Sequence, residues 1–157
     1  MTLPPVVRRY VDLLLGNLDV LTTHIRALDK YLQRHVRQDP VAKRLQTIPG
    51  VGAFGALLLQ AEIGPITRFR SAQQLAAYAG LVPSTHSSGG KTHHGSVGHG
   101  SPWLKWILVE ILQTLKLAPG PVAAHYQKLL RAKGKPKATV AAARKLCTYL
   151  YGMLTKE

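Results

Sequence analysis

Apolar residues recur at alternating spacings of four and three over more than three heptads near the start of the chain. They are Val7, Val11, Leu14, Leu18, Leu21, Ile25, Leu28 and Leu32. This pattern predicts one long helix with an apolar seam of the coiled-coil type, preceded by Pro4-Pro5 and ended by Asp39-Pro40. We favour self-association through the seam. Because Leu15 widens the face and the flanking positions are not regularly charged, packing of the seam on the chain's own domain is the alternative.

The rest of the chain predicts an all-α fold, so residues 1–40 form a coiled-coil connector helix and residues 41–157 a compact helical domain. Helices are expected after Val41, from the Ser71 cap to Tyr78, and from Ser101-Pro102, with breaks near 119–121 and 134–136. The helix after Ser101 carries one broad apolar face, made of Trp103, Leu104, Ile107, Leu108, Ile111, Leu112 and Leu115. Residues 83–101 show no helical pattern, and no strand is predicted there. They are interpreted as a Gly/Ser/His-rich loop.

The charge balance indicates a polyanionic partner. Lys and Arg number 21 against 7 Asp and Glu, a formal net charge of +14, and nucleic acid is the commonest partner for such an excess. An anionic membrane is the weaker alternative, because no apolar run is long enough to span a bilayer and the start does not resemble a signal peptide. The single cysteine, Cys147, favours a reducing compartment and a buried position. We therefore expect a cytoplasmic protein that binds a polyanion, with no membrane partner.

Two groups of residues are predicted to contact nucleic acid. The segment Ile48-Pro49-Gly50-Val51-Gly52 resembles the turn of a helix-hairpin-helix motif, whose backbone N–H groups can hold a phosphate, with a simple helix-helix turn as the alternative. The second group is a run of cations with no acid between Lys128 and Lys156, and a solvated helix face is the alternative for it. Its members are Lys128, Arg131, Lys133, Lys135, Lys137, Arg144 and Lys145.

Ser87 and Ser88 directly precede Gly89-Gly90-Lys91. Spacing alone favours a flexible loop, although a serine nucleophile with Lys91 offsetting phosphoryl charge is chemically possible. The four histidines of this segment lack accompanying acids or cysteines, so no metal site is predicted. The few acids of residues 41–157 cannot form a two-metal site, and the chain is not expected to bind a cofactor or to cut DNA by metal chemistry alone.

Several blocks together resemble the C-terminal domain of the bridge-RNA-guided insertion-sequence recombinases, the DEDD-type transposases. The resemblance covers roughly two thirds of the chain. The blocks are Thr47–Gly52, Ala61–Gly64, Arg68-Phe69, Leu75–Pro83, Ser87–Lys91, Gly100-Ser101, Leu104-Lys105, His125-Tyr126, Ala138 and Arg144–Leu146.

The resemblance implies that Ser88, with Ser87 as the alternative, is the nucleophile of a phosphoserine–DNA intermediate, and that Lys105 contacts nucleic acid. It also implies an N-terminal RuvC-like domain that holds Mg²⁺, joined by a coiled-coil connector. The implied partners are a guide (bridge) RNA, DNA and further copies of the chain in a homo-oligomer, and the implied location is the nucleoid of a bacterium or archaeon. The chain begins in the connector, so we expect it to be inactive without a RuvC-like partner. The family's usual basic residues after the serine are here Ser96, Gly98 and His99, and its Gly-Asn is Gly100-Ser101.

Two other functions are compatible with the sequence. The chain could be a non-catalytic nucleic-acid-binding accessory protein derived from a truncated transposase, or a coiled-coil interaction module whose charge serves only solubility. Salt-sensitive DNA binding would separate the first of these from the second.

Overall fold

The computed structural model of the protein describes residues 4–88, 91–97 and 100–156. Helix α1 spans Pro5–Gln38. It ends as predicted, because Asp39 adopts an extended conformation and its carboxylate accepts hydrogen bonds from Val41 N and Ala42 N at the start of the next helix. The Asp39 carboxylate also accepts a 2.7 Å bond from the Gln60 side chain. The Gln60 bond first, and then the backbone N–H groups, lower the pKa of Asp39 below its usual value.

The apolar seam of α1 does not pack on the chain's own domain. Only Val36, near the end of the helix, is buried, and Leu32 packs partly against the core. The seven seam residues before Leu32 are between 36% and 61% exposed. The alternative of internal packing is therefore wrong for the seam before Leu32, because α1 contacts the core near its C-terminal end, at Leu32 and Val36. Self-association stays a prediction.

The remaining helices form one bundle. Their bounds are α2 Pro40–Leu45, α3 Ala53–Ile63, a 3₁₀ turn at Ile66–Arg68, α4 Ala72–Tyr78, α5 Pro102–Leu115, α6 Pro121–Lys133 and α7 Lys135–Thr155. The predicted helical fold with an extended N-terminal helix is confirmed. Among the described residues, no helix is long and apolar enough to cross a bilayer.

Helices α5 and α7 form the centre of the core. The core face of α5 consists of Leu104, Ile107, Leu108, Ile111 and Leu112, and α7 packs against α4, α5 and α6. A fully buried leucine side chain contributes roughly 1.5–3 kcal/mol by leaving water. Cys147 on α7 is buried as predicted, and loss of solvent raises the pKa of its thiol to about 12.

Local capping signals are confirmed with one difference. Ser71 Oγ accepts a hydrogen bond from Gln74 N at 3.3 Å, as a capping residue should. The Gln74 side chain, however, accepts from Arg70 N at 2.7 Å rather than from the N–H of Ser71. Ser101 likewise caps α5 through a 3.1 Å bond from Leu104 N.

The segment interpreted as a loop contains a β-hairpin. Strand β1 (Pro83–Ser88) pairs with strand β2 (Lys91–Val97) in an antiparallel sheet, so the prediction of no strand here is wrong. The strands are polar and lack the apolar alternation by which strands are usually recognised. In the sequence, the dipeptide Gly89-Gly90 stands between the two strands, and a two-residue Gly-Gly connection is typical of β-hairpins. Gly89, Gly90, Gly98 and His99 lie outside the described residues.

Candidate serine hairpin and nucleic-acid interface

The register of the hairpin relates the two serines to Lys91. Ser88 at the end of β1 is the cross-strand partner of Lys91, and Ser87 is the partner of Thr92. Opposite residues of an antiparallel pair have Cα atoms about 4.5–5.5 Å apart. The backbone positions of Ser88 and Lys91 are therefore adjacent, which spacing along the chain could not establish.

The two ends of the hairpin segment meet at a tight junction between α4 and α5, which we call the hairpin root: Tyr78, Gly80, Gly100 and Ser101. Ser101 N donates a 2.8 Å hydrogen bond to Tyr78 O. A Cβ atom added at Gly100 would lie 2.3 Å from Gly80 N and 2.5 Å from Tyr78 O. Because both neighbours are backbone atoms, the approach requires glycine at position 100. The root therefore fixes where the serine hairpin leaves the bundle.

Glu62 reinforces the root from α3. Ser101 Oγ donates a 2.6 Å hydrogen bond to Glu62 Oε2 while accepting the cap bond from Leu104 N. A hydrogen bond to a carboxylate is stronger than one between neutral groups. Glu62 is one of the few acids of residues 41–157, and the sequence gives no sign of its contact with Ser101, because nothing local shows that two residues 39 positions apart meet.

Arg68 covers the other side of the root. Its guanidinium lies 4.6 Å from the centroid of the Tyr78 ring and 4.8 Å from that of Phe69. The two rings are themselves in contact, with centroids 5.4 Å apart. Tyr151 OH on α7 donates a 3.2 Å bond to Phe69 O. The root is therefore joined to α3, to the 3₁₀ turn and to the core helix α7.

The predicted helix-hairpin-helix segment forms the turn between α2 and α3. Gly50 has a φ of 90°, and an added Cβ would lie 2.8 Å from Thr114 Cβ and 3.1 Å from Ile111 O on α5. This glycine is therefore explained by packing against α5. Gly52 is the exposed N-cap of α3, no side chain caps this helix end, and no atom lies within 4 Å of an added Cβ.

The predicted cations lie mainly on α6 and α7. Lys128, Arg131 and Lys133 on α6, and Lys135, Lys137 and Arg144 on α7, are exposed, whereas Lys145 is half-buried with its ammonium 5.6 Å from the Tyr149 ring. Five of the cations flank Gly134, the junction of the two helices, and we call Lys128, Arg131, Lys133, Lys135 and Lys137 the basic corner. Lys105 lies half-buried on α5.

The structure places the α2–α3 turn and the serine hairpin at opposite ends of the α3–α5 pair. Gly50 contacts Thr114 at one end, and Glu62 bonds Ser101 at the other. The helical rise gives a separation of about 20 Å. Pro49 in the turn lies with α6 and α7 residues around a shallow cavity of about 200 Å³, whose lining includes Pro121, Leu146 and Tyr149. The turn is thus close to the middle of α7, whereas the hairpin root lies at the far end of the α3–α5 pair.

The fold and the hairpin root define a helical domain that presents a serine-bearing β-hairpin. Residues 42–127 match the model of the Transposase IS116/IS110/IS902 family. This is more than half of the chain, and the chain belongs to this family. The resemblance drawn from the sequence is confirmed at this level.

Similar proteins include known transposases. A probable family 20 transposase of Pseudomonas aeruginosa is 29% identical over 160 residues, which cover 99% of this chain and 47% of the relative. The transposase for insertion sequence element IS1111A of Coxiella burnetii is also 29% identical, over 99% of this chain and 44% of its own length. The pilin gene-inverting protein of Moraxella bovis is 35% identical, over 96% of this chain and 48% of its own length. The chain spans about half the length of these relatives.

Proposed function

We propose that this chain supplies the serine hairpin and part of the nucleic-acid surface of a transposase that carries out DNA transposition or site-specific recombination. The observation that carries the proposal is the hairpin root. It holds the Ser87-Ser88 segment at one defined exit from the bundle, within the region that matches the transposase family.

Ser88 is the proposed nucleophile, and Ser87 is the alternative. The Ser88 Oγ atom forms a bond to the phosphorus of a DNA phosphodiester as the bond from phosphorus to one deoxyribose oxygen breaks. The serine proton passes to a base, and the departing sugar oxygen takes up a proton. Attack by the sugar hydroxyl of another strand then reverses the step and joins the strands. Lys91 is the cross-strand partner of Ser88, and in the proposed step its charge offsets that of the phosphoryl oxygens.

The basic corner and the α2–α3 turn are the proposed phosphate contacts. Lys135 and Lys137 lie in the first turn of α7, where the positive end of the helix dipole disfavours cations by about 0.3–1 kcal/mol each. No acidic residue occupies that turn. A phosphate backbone bound at this helix end would attract both the lysine side chains and the positive end of the helix dipole. The repulsion between the lysines and the dipole would then be offset by attraction to the phosphate.

In this proposal the metal ion is held by another domain and not by the residues of this chain. Among the described residues, no three His, Cys, Asp or Glu side chains come together in a way that could hold an ion, and Glu62 is already bonded to Ser101. We infer that Mg²⁺ is held by a RuvC-like domain outside this chain, and that a bridge RNA and a second copy joined through the α1 seam complete the assembly.

Trapping the covalent intermediate tests the catalytic proposal. The chain is mixed with the RuvC-like half of a full-length relative, guide RNA and a nicked suicide DNA substrate, and adducts are detected on denaturing gels. We expect an adduct with the wild type, none with Ser88→Ala, and a reduced amount with Ser87→Ala. Ser96→Ala on β2 is the matched control and should leave the adduct unchanged.

The outcomes separate the candidate mechanisms. If the adduct is lost in Ser87→Ala but kept in Ser88→Ala, the nucleophile is Ser87. If the adduct is kept in both variants, the serine mechanism is wrong for this chain. Binding is measured separately by fluorescence anisotropy. If about six phosphates are neutralised, log K should fall with log salt at a slope near −5. Salt-dependent binding without any adduct would favour the accessory-protein function.

A further inference from the structure

Three large aromatic side chains lie exposed together on the surface formed by α3 and α5. Phe54, Trp103 and Trp106, which we call the aromatic surface, are 49%, 59% and 44% exposed. The ring centroids of Trp103 and Trp106 are 6.1 Å apart, and those of Phe54 and Trp106 are 6.4 Å apart. Side chains of this size are normally buried or contact a partner.

The position of Trp103 corrects the sequence prediction. Trp103 was expected on the broad apolar face of α5, but Leu104, Ile107 and Leu108 fill that face while Trp103 points to solvent. The tryptophan is therefore not required to complete the core, and its exposure needs another explanation.

The aromatic surface extends from the hairpin root along the α3–α5 pair. Trp103 lies in the first turn of α5, two residues after Ser101 of the root, and Trp106 follows one turn later. Phe54 lies in the first turn of α3, two residues after the exposed N-cap Gly52. The three rings therefore occupy the face between the serine hairpin and the α2–α3 turn.

We infer that the aromatic surface binds unpaired nucleobases of a DNA strand by stacking. The inference rests on the proposed function, because strand exchange separates base pairs beside the phosphate that is cut. The chain carries a net charge of +14, so a polyanion is the partner that its charge attracts. Nucleobases are the flat apolar groups that a polyanionic strand presents, and stacking on exposed Trp and Phe rings is tolerant of sequence.

The T-shaped contact between the two indoles favours stacking on an outer ring face over insertion of a base between them. Their ring planes are 89° apart, so no parallel slot exists between the two rings. An exposed ring face remains available for a base, as on single-strand binding proteins. A base stacked on Trp103 would lie close to the root from which the serine hairpin leaves.

Trp103 and Trp106 are the only tryptophans of the chain, so intrinsic tryptophan fluorescence reports on this surface alone. The probes are oligothymidylate and an abasic strand of the same length and charge. We expect oligothymidylate to quench the fluorescence and to bind about tenfold more tightly than the abasic strand, which contributes phosphates without bases. Equal affinity for the two strands, with no quenching, would overturn the inference.

Variants distinguish stacking from other causes. Trp103→Ala should weaken oligothymidylate binding about tenfold and leave binding of the abasic strand unchanged. Trp103→Phe keeps an aromatic ring and should retain most of the wild-type affinity for oligothymidylate. Leu117→Ala removes an even more exposed apolar side chain, just beyond the C-terminal end of α5, and should change neither affinity. Circular dichroism checks that each variant is folded.

Three further results would refute the inference, each in a recognisable way. If Trp103→Ala instead lowers the sedimentation coefficient of the free protein, the aromatic surface is an interface between copies of the chain. If both strands bind in a salt-dependent way but without discrimination, stacking is wrong while the proposed function stands. If neither strand binds at low salt, the proposed nucleic-acid function fails as well.

Discussion

Adding one methyl group at Gly100 perturbs the hairpin root without removing any side chain. The new Cβ of Gly100→Ala would overlap backbone atoms of Tyr78 and Gly80 at 2.5 Å or less. The backbone segments at Tyr78–Gly80 and at Gly100 must then move apart, which strains the packing and lengthens the bond from Ser101 N to Tyr78 O. Overpacking together with a weakened hydrogen bond should cost roughly 2–4 kcal/mol of the free energy of unfolding.

Urea unfolding followed by circular dichroism measures this cost. For a chain of this size we expect the unfolding midpoint of Gly100→Ala to fall by about 1–2 M. The control is Gly152→Ala in helix α7, where no atom lies within 4 Å of the added Cβ. This substitution should stabilise the protein by about 0.5–1 kcal/mol, because alanine favours helix. A Gly100→Ala midpoint equal to that of the wild type would refute the close approach at the root.

Three other measurements test separate features. The Cys147 thiol, with its pKa raised by burial to about 12, should resist alkylation at pH 8 in the folded protein and react at once in urea; rapid modification of folded protein would contradict its burial. The lowered pKa of Asp39 stabilises the fold above the unfolded-state value of about 4, and this contribution is lost as pH falls through the folded-state pKa. The difference in unfolding free energy between wild type and Asp39→Asn should therefore shrink as the pH falls below about 4, and a difference that stays constant with pH would show that ionised Asp39 does not stabilise the fold. Placing Asp at both Leu18 and Leu21 would put charge in the α1 seam and should convert an oligomer to monomer in sedimentation; a wild type that is already monomeric would rule out association through the seam.

Boundaries between helices were predictable because their signals are local. Asp39-Pro40 ends α1 and begins α2, and Ser101-Pro102 begins α5, as capping chemistry requires. The long α1 followed from its heptad pattern. Its surroundings did not, because periodicity shows which face of a helix is apolar and leaves open what covers that face.

Long-range contacts of the candidate site were not predictable. The bond between Ser101 and Glu62 joins residues from different helices, and the stacking of Arg68 on Tyr78 depends on how α4 meets the 3₁₀ turn. The hairpin was missed because polar strands carry no apolar alternation. Trp103 was misplaced because a residue at the margin of an apolar face can turn either inward or to solvent, and only packing decides which.

The length of α1 bears on how two highly charged copies can associate. A helix of 34 residues is about 50 Å long, whereas electrostatic interactions in water are screened over about 8 Å at physiological ionic strength. If two copies paired in parallel through the seam, their cationic bodies would lie side by side and repel each other. An antiparallel pair would hold the bodies at opposite ends of the coiled coil, several screening lengths apart. In that arrangement association through α1 should depend little on salt, while nucleic-acid binding by each body should depend on it steeply.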